Sequence, residues 1–333
     1  MKVWSRHIQE TLKAIEDHLL QEYKNEKEET KRDWRTYEQK LMHRMKSSIR
    51  NLEPLIEEAT STLKIEKHQG RDSKLTLKQK VILLLLKELF DKSNRDMSFM
   101  IDVFSLLAGI DVSYKTIERL YSDEQVEMVL HNLHLLILKK KGVEIADAVG
   151  DGTGYSLSIK KHYATEVENR KDDVKENSGK EKKCFIYSFK LLDLKSRLYI
   201  CYGISFKSEK QAFNRALEML AEANVKIEKI RLDRYYSNSS DVDKFSSDSR
   251  VFVFPKSNAT LKGSYQWKDC MVRFVLHTKD YLGQYYLRNN SESEIAADKR
   301  RLGWRIEQRR EDRINTAHSC IVVWHNLFNL YQT

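Results

Sequence analysis

Cysteine and proline are scarce in this chain, and long apolar runs are missing. The four cysteines, Cys184, Cys201, Cys270 and Cys320, stand far apart among 333 residues. They form no CxxC pair and have no histidine at zinc-finger spacing, so neither a disulfide framework nor a structural zinc site is indicated. A reducing cytoplasm suits such a chain. The longest apolar run, Val81 to Leu86, is far short of the roughly 20 residues that a membrane span needs. The opening segment MKVWSRHIQE has no apolar core of an export signal. Neither export nor a membrane partner is expected. Proline occurs only twice, and Pro54 is expected at a helix boundary.

Charge, by contrast, is abundant. The chain has 59 Lys and Arg against 49 Asp and Glu, a net charge of +10. Such a balance favours an acidic polymer as partner over a small neutral metabolite. The length allows two domains, or one large domain with a helical appendage.

Residues 1–66 read as an amphipathic helical region. Ile8, Leu12, Ile15 and Leu19, then Trp34, Tyr37, Leu41, Met45, Ile49 and Leu52, recur in steps of three and four. That stripe serves either packing on the rest of the chain or self-association. The polar stretch KHQGRDSK at 67–74 reads as a linker. Residues 74–140 form a second helical block, with Thr76 and Ser113 as N-caps and a turn at Gly109. A short polar helix after such a turn resembles a helix-turn-helix. It would offer Ser113, Tyr114, Lys115 and Arg119 to a DNA groove, although any small helical bundle contains a similar unit.

From residue 143 to the end at 333 the pattern changes. Glu144 to Val149 reads as a strand leading into a Gly-rich turn, DGTGYS. Cys184–Leu192 and Arg197–Ser205 read as a hairpin joined at Asp193–Ser196. The charge-dense segment Thr165–Lys183 between them reads as a surface loop. A helix at Ser208–Ala223, a strand at Val225–Leu232 ending at Asp233, a short strand at Val251–Phe254 and a helical remainder follow. The order of three strands, helix, two strands and helix resembles an RNase H-like α/β core, a mixed five-stranded sheet flanked by helices. Here an all-α N-terminal region precedes it.

Such a core carries carboxylates on its first strand, at the end of its fourth and on its final helix. Those places hold Asp151, Asp233 and Glu292. Acidic groups gathered from separate elements can share two hard cations, which drive in-line attack on phosphorus with no organic cofactor. Asp147 on the same strand rivals Asp151, and Asp241 and Asp243 are lesser rivals to Asp233. Around Glu292 the spacing of Tyr285, Arg288, Glu292 and Lys299 is Y-(2)-R-(3)-E-(6)-K. On a helix the last three share one face, a metal ligand flanked by two phosphate-binding cations. Intrahelical ion pairing is the plainer alternative. The basic run from Lys299 through Arg300 to Arg313, with Trp304 inside it, would neutralise phosphates. It could equally be a solubilising face. Lys256, after FVFP, is a further candidate for DNA contact. Trp324 and His325 are expected in the core.

The Y-R-E-K signature, DGTGYS, LDRYYSN and the series FPKSN, YLRNNSES and KRRLGW resemble insertion-sequence transposases of the DDE class from bacteria and archaea. The stretch LTLKQKVILLLLKELFDKSNRDMSFMIDVFSLLAGIDVSYKTIERLY resembles the DNA-recognition region of archaeal members. The likeness runs from about residue 74 to the end. It implies catalysis by Asp151, Asp233 and Glu292 with two divalent cations, Mg or Mn. It also implies binding to double-stranded DNA, both terminal inverted repeats and target, by a homodimer in the synaptic complex. Arg288 and Lys299 would hold phosphates near the cut, supported by Tyr285. The chain departs from some relatives in lacking a β-rich insertion between Asp233 and Glu292. It also has Tyr235 and Tyr236 in the region where relatives with a Trp just after the second carboxylate stack it on a flipped base. Two other readings share much of this pattern: an RNase H-like structure-selective nuclease or resolvase, and a transposase-derived DNA-binding protein without catalysis.

Overall fold

Several of the helices begin where the chain supplies a side chain to accept the first free backbone N–H groups. The computed structural model describes residues 3–15, 33–61, 63, 74–92, 94–98, 100, 112–157, 185–308 and 310–331. Helix α1 (Ser5–Ala14) buries Ile8 and Leu12. Helix α2 (Trp34–Arg50) starts at Asp33, whose carboxylate accepts from the N–H groups of Arg35 and Thr36. Helix α3 (Leu52–Ser61) carries Pro54 in its first turn, where a missing N–H costs no hydrogen bond. Thr76 and Gln79 form a reciprocal capping box on α4 (Leu77–Leu89), and Ser113 caps α5 (Tyr114–Leu120). Helix α6 (Glu124–Lys141) opens at Asp123 and closes at Gly142, whose φ of 71° suits only glycine well. The stripe expected to pack is buried at Ile8, Leu12, Ile15 and Leu52, but Trp34 and Ile49 on α2 stay exposed. That helix meets the rest of the chain through Met45, which packs on the core, and through Ser48, whose hydroxyl donates to Leu327 O at 2.8 Å.

Strands β1 (Ile145–Leu157), β2 (Phe185–Asp193) and β3 (Tyr199–Ser205) precede α7 (Glu209–Ala223) and β4 (Lys226–Leu232). Then come a short 3-10 turn (Arg234–Tyr236), α8 (Ser239–Val242), β5 (Arg250–Val253), α9 (Tyr265–Leu276), α10 (Thr278–Tyr286), α11 (Asn289–Leu302), β6 (Arg305–Ile306) and α12 (Glu311–Leu330). The sheet order is β3-β2-β1-β4-β5, and β6 joins β1 to make six strands where five were expected. Strand β1 is antiparallel to β2 and parallel to β4, and β4 is parallel to β5.

The Gly-rich segment around Asp151 is not a turn. It lies inside β1 and pairs without a break against β2, with Gly150 opposite Leu191, Asp151 opposite Lys190 and Gly152 opposite Phe189. Its glycines serve close packing instead. A Cβ on Gly150 would sit 2.6 Å from the Phe189 ring and 2.7 Å from Leu232. On β3, a Cβ on Gly203 would be 2.2 Å from the Ala212 carbonyl oxygen of α7. Helix α7 therefore lies tight on one sheet face, with the Phe213 and Phe189 rings 4.9 Å apart.

Helices α11 and α12 cover the other face, where Val149, Leu192, Tyr199, Ile295 and Val322 cluster. A larger core runs continuously from Val81 and Leu133 of the N-terminal helices to Phe213 and Trp324. Trp324 is fully buried, and its indole N–H donates to Leu85 O at 2.7 Å. No described helix is long and apolar enough to cross a membrane. Most of the linker expected at 67–74, the Gly109 turn and the segment Thr165–Lys183 lie outside the described residues.

Candidate active site

Parallel pairing of β1 with β4 brings the first two carboxylates together. The register ends with Val149 opposite Arg231. Asp151 and Asp233 each follow two residues later, Asp151 still in β1 and Asp233 just past the end of β4, and the charge of Asp233 is felt at Asp151. Asp233 leaves β4 as the cap of the 3-10 turn, its carboxylate accepting from Arg234 N–H at 2.5 Å.

The Y-R-E-K residues do not lie on one continuous helix. The chain breaks at Leu287 and Arg288, leaving Tyr285 in α10, Arg288 at the N-cap of α11 and Glu292 in its first turn. From that position the Arg288 guanidinium bridges the acidic groups. One amine is 3.6 Å from Asp151 Oδ1 and the other is 2.9 Å from Glu292 Oε1. The Tyr285 ring lies 6.0 Å from the guanidinium, a cation-π contact.

Electrostatics mark this cluster. Burial raises the Asp151 pKa to about 7; Arg288 opposes the rise, while the charges of Glu292 and Asp233 add to it. Burial works against the charge on Arg288, but Tyr285, Asp151, Glu292 and Asp233 together hold its pKa above the ordinary value. Tyr285 is pushed up to about 12, by burial first. Groups shifted by desolvation and specific charge partners in this way concentrate at functional sites.

Two buried polar assemblies support the cluster, and neither was visible in the sequence. In the first, fully buried Arg231 pairs with Asp147 and donates to Gln284, reaching its backbone oxygen at 2.7 Å and its side-chain oxygen at 2.5 Å. This clamp ties β1 and β4 to the helix bearing Tyr285, and it engages Asp147, the rival to Asp151. In the second, Asp298 on α11 accepts from Tyr199 hydroxyl at 2.8 Å. It also pairs with His325 Nδ1 at 2.8 Å and lies 3.7 Å from Lys190 Nζ. Burial favours a neutral Asp298, yet His325, Lys190 and Tyr199 outweigh it and keep the group below the usual carboxylate pKa.

The remaining candidates divide by location. The Lys299 amine turns to β1, donating to Thr153 Oγ1 at 2.6 Å and Gly154 O at 2.9 Å, and burial lowers its pKa. Arg300 lies on the outward face of α11. Lys115 and Arg119 are exposed on α5, and among the described residues no contact joins them to the carboxylates. Asp241 is buried and paired with Lys210 and Lys244, while Asp243 accepts from Ser239 at 3.1 Å. The exposed Lys256 amine donates to Tyr235 O at 3.3 Å. Tyr235 is 52% exposed, whereas Tyr236 is buried and donates to Glu209 at 2.7 Å. Glu209 is an acid that sequence patterns alone do not single out. It crowds Gly152 from the α7 side, where a Cβ would meet its carboxyl carbon at 2.3 Å. In sequence it looks like any acid favoured in a first helical turn.

Among the described residues, no three His, Cys, Asp or Glu side chains stand close enough to hold a metal ion as they are. The positive charge between Asp151 and Glu292 is that of Arg288. A probable transposase for insertion sequence element ISA1214 of Archaeoglobus fulgidus is 40% identical over 327 residues, covering 98% of this chain and 97% of the relative. No protein-family profile matches the chain. No solved structure matches it.

Proposed function

The chain belongs to the insertion-sequence transposase family, and from that premise we propose that it is a DDE-class enzyme that cuts and rejoins DNA at Asp151, Asp233 and Glu292. The observation that carries this reading is the convergence of three acids from β1, the end of β4 and α11 around Arg288. The strand order β3-β2-β1-β4-β5, with acids on β1, after β4 and on a later helix, supports an RNase H-like core.

The donor set suits hard divalent cations, Mg or Mn. It offers carboxylate oxygens from separate elements, partly balanced here by a guanidinium. When bound, two such ions would activate the attacking water or 3′-hydroxyl and stabilise the leaving oxygen. The chain's own residues do the positioning. The β1–β4 pairing and the packing of α11 would hold Asp151, Asp233 and Glu292, and Arg288, paired here with Asp151 and Glu292, would bind a phosphate oxygen of the cut strand. Exposed Lys115 and Arg119 on α5 would contact the terminal inverted repeats. A homodimer would bring the two ends and the target DNA together.

The decisive experiment is cleavage of labelled DNA carrying the element's own ends, in Mg²⁺ or Mn²⁺ against EDTA, with wild type and Glu292→Gln. Metal-dependent cuts at the ends that vanish in the variant are expected. End binding without cutting would make the protein a DNA-binding derivative. Cuts at branched DNA regardless of end sequence would make it a structure-selective nuclease.

A further inference from the structure

We infer that a basic groove behind α11, formed with α2 and the end of α12, binds the phosphodiester backbone of DNA separately from the carboxylate cluster; the inference rests on the transposase reading. The groove encloses about 830 Å³. Lys40, His43, Arg44, Arg197, Arg300 and Arg301 line it, and among the described residues Glu294 is the one carboxylate facing them. Lys40 and Arg300 have no carboxylate partner among the described residues.

Two of these cations, Arg44 and Arg197, are held in place rather than merely solvated. Arg44 is half-buried and donates to Asn329 Oδ1 at 3.2 Å. Burial, and then the nearby charge of Arg301, lower its pKa. Arg197 has a φ of 60°, a left-handed conformation that a non-glycine residue rarely adopts. Its guanidinium donates to Asn290 Oδ1 at 2.8 Å, which fixes it beside the start of α11. Like charges gathered in a partly desolvated concavity repel one another, and a polyanion relieves that repulsion.

The arrangement fits a phosphate backbone. The lining follows α11 from Ser293 to Arg301, about 12 Å at 1.5 Å per residue. Arg197 stands beside Asn290 at the start of that stretch, and Arg300 and Arg301 stand at its end; cations spaced in this way suit evenly spaced charges better than one compact anion. On the same helix, Ile295, Asp298 and Leu302 are buried, whereas Ser293, Ala297, Arg300 and Arg301 border the groove. DNA in the groove is therefore separated from the carboxylates by the body of α11. Such a contact adds affinity without reading sequence and without taking part in the chemistry.

The test compares wild type, Glu292→Gln and the triple variant Lys40→Gln/Arg300→Gln/Arg301→Gln, each checked for a cooperative thermal melt. Binding to a duplex with the element's ends and to an unrelated duplex is measured across a salt series. The triple variant should weaken both by the same factor and flatten the slope of log affinity against log salt by about 3, near 0.9 for each phosphate that is no longer neutralised. Lys40→Gln alone, at an exposed position, should flatten the slope by about 0.9 and covers the case in which the triple variant does not fold; Arg300→Lys/Arg301→Lys, which keeps the charge, should retain the wild-type slope. An unchanged slope in the triple variant, or a flattened one in the charge-preserving variant, overturns the groove. Neither result touches the transposase reading, because the metal-dependent cuts lost in Glu292→Gln test that separately. Wild-type binding to polyglutamate or single-stranded RNA in preference to duplex DNA would also overturn the inference.

Discussion

The Arg288 guanidinium reaches within 3.6 Å of the Asp151 carboxylate across the gap between α11 and β1. The two residues belong to elements far apart in the chain, and their contact leaves Asp151 only partly compensated, with its pKa raised to about 7 from 3.8. A carboxyl raised on folding binds more protons in the folded state between those values. Metal-free stability should therefore fall as pH rises from about 4 to 7. Asp151→Asn should remove this dependence and stabilise the protein at pH 8 by on the order of a few kcal/mol. Denaturant midpoints at pH 5 and pH 8 in EDTA check this; equal midpoints for wild type and variant at pH 8 would disprove the charge crowding.

Removing the other partner should separate chemistry from folding. Arg288→Ala is expected to slow end cleavage by on the order of 100-fold, as for loss of one transition-state donor. Its melting temperature should stay within a few degrees of wild type. A variant that melts much earlier would assign Arg288 to structure instead.

The clamp of Arg231 on Asp147 and Gln284 makes a stability prediction. Asp147→Ala leaves a buried guanidinium without its counter-ion, at a cost on the order of 3 kcal/mol. Urea denaturation reads this directly, and a loss below about 0.5 kcal/mol, the range of ordinary surface substitutions, would mean that the pair does not hold α10 to the sheet.

Glycines at Gly203 and Gly283 should respond in opposite directions. A Cβ on Gly203 meets α7 backbone at 2.2 Å, whereas one on Gly283 meets nothing within 4 Å. Gly203→Ala should destabilise by about 1–3 kcal/mol through overpacking. Gly283→Ala, inside α10, should stabilise by roughly 0.5–1 kcal/mol. Thermal melts of the two variants suffice, and the same sign for both would refute the packing argument.

Buried His134 couples folding to acid. Its Nε2 lies 2.9 Å from Ile200 O, and burial lowers its pKa from 6.5 to about 4, with His131 adding to the effect. The unfolded chain binds the proton more tightly, so this stabilisation is complete above about 6.5 and is lost as pH falls through about 4. The difference is worth on the order of 3 kcal/mol. His134→Gln should flatten the stability profile in that window; an unaltered profile would show that the acid sensitivity lies elsewhere.

Much of the architecture was legible because its causes are local. Short β-rich apolar runs joined at Asp193–Ser196 marked the hairpin of β2 and β3, and a serine or threonine before a helical stripe marked the starts of α4, α5 and α7. The same locality misled at Asp151. Clustered glycines read as a turn, whereas their role is to admit Phe189, Leu232 and Glu209 against a continuous strand. The break between Tyr285 and Arg288 was hidden because helical spacing continues across it.

By itself, the sequence determined the order of β1 to β5 with α7 between β3 and β4, the caps Thr76 and Ser113, and the candidate acids Asp151, Asp233 and Glu292. Each of those depends on residues a few positions apart or on element order. Only the tertiary structure decided that Asp147 pairs with Arg231, that Lys299 turns to β1, that Arg288 bridges Asp151 and Glu292, and that the basic residues of α2 and α11 share one groove. The reason is physical. Periodicity and capping are written within single turns, whereas the partner of a buried charge is set by strand register and by helices packed from distant parts of the chain.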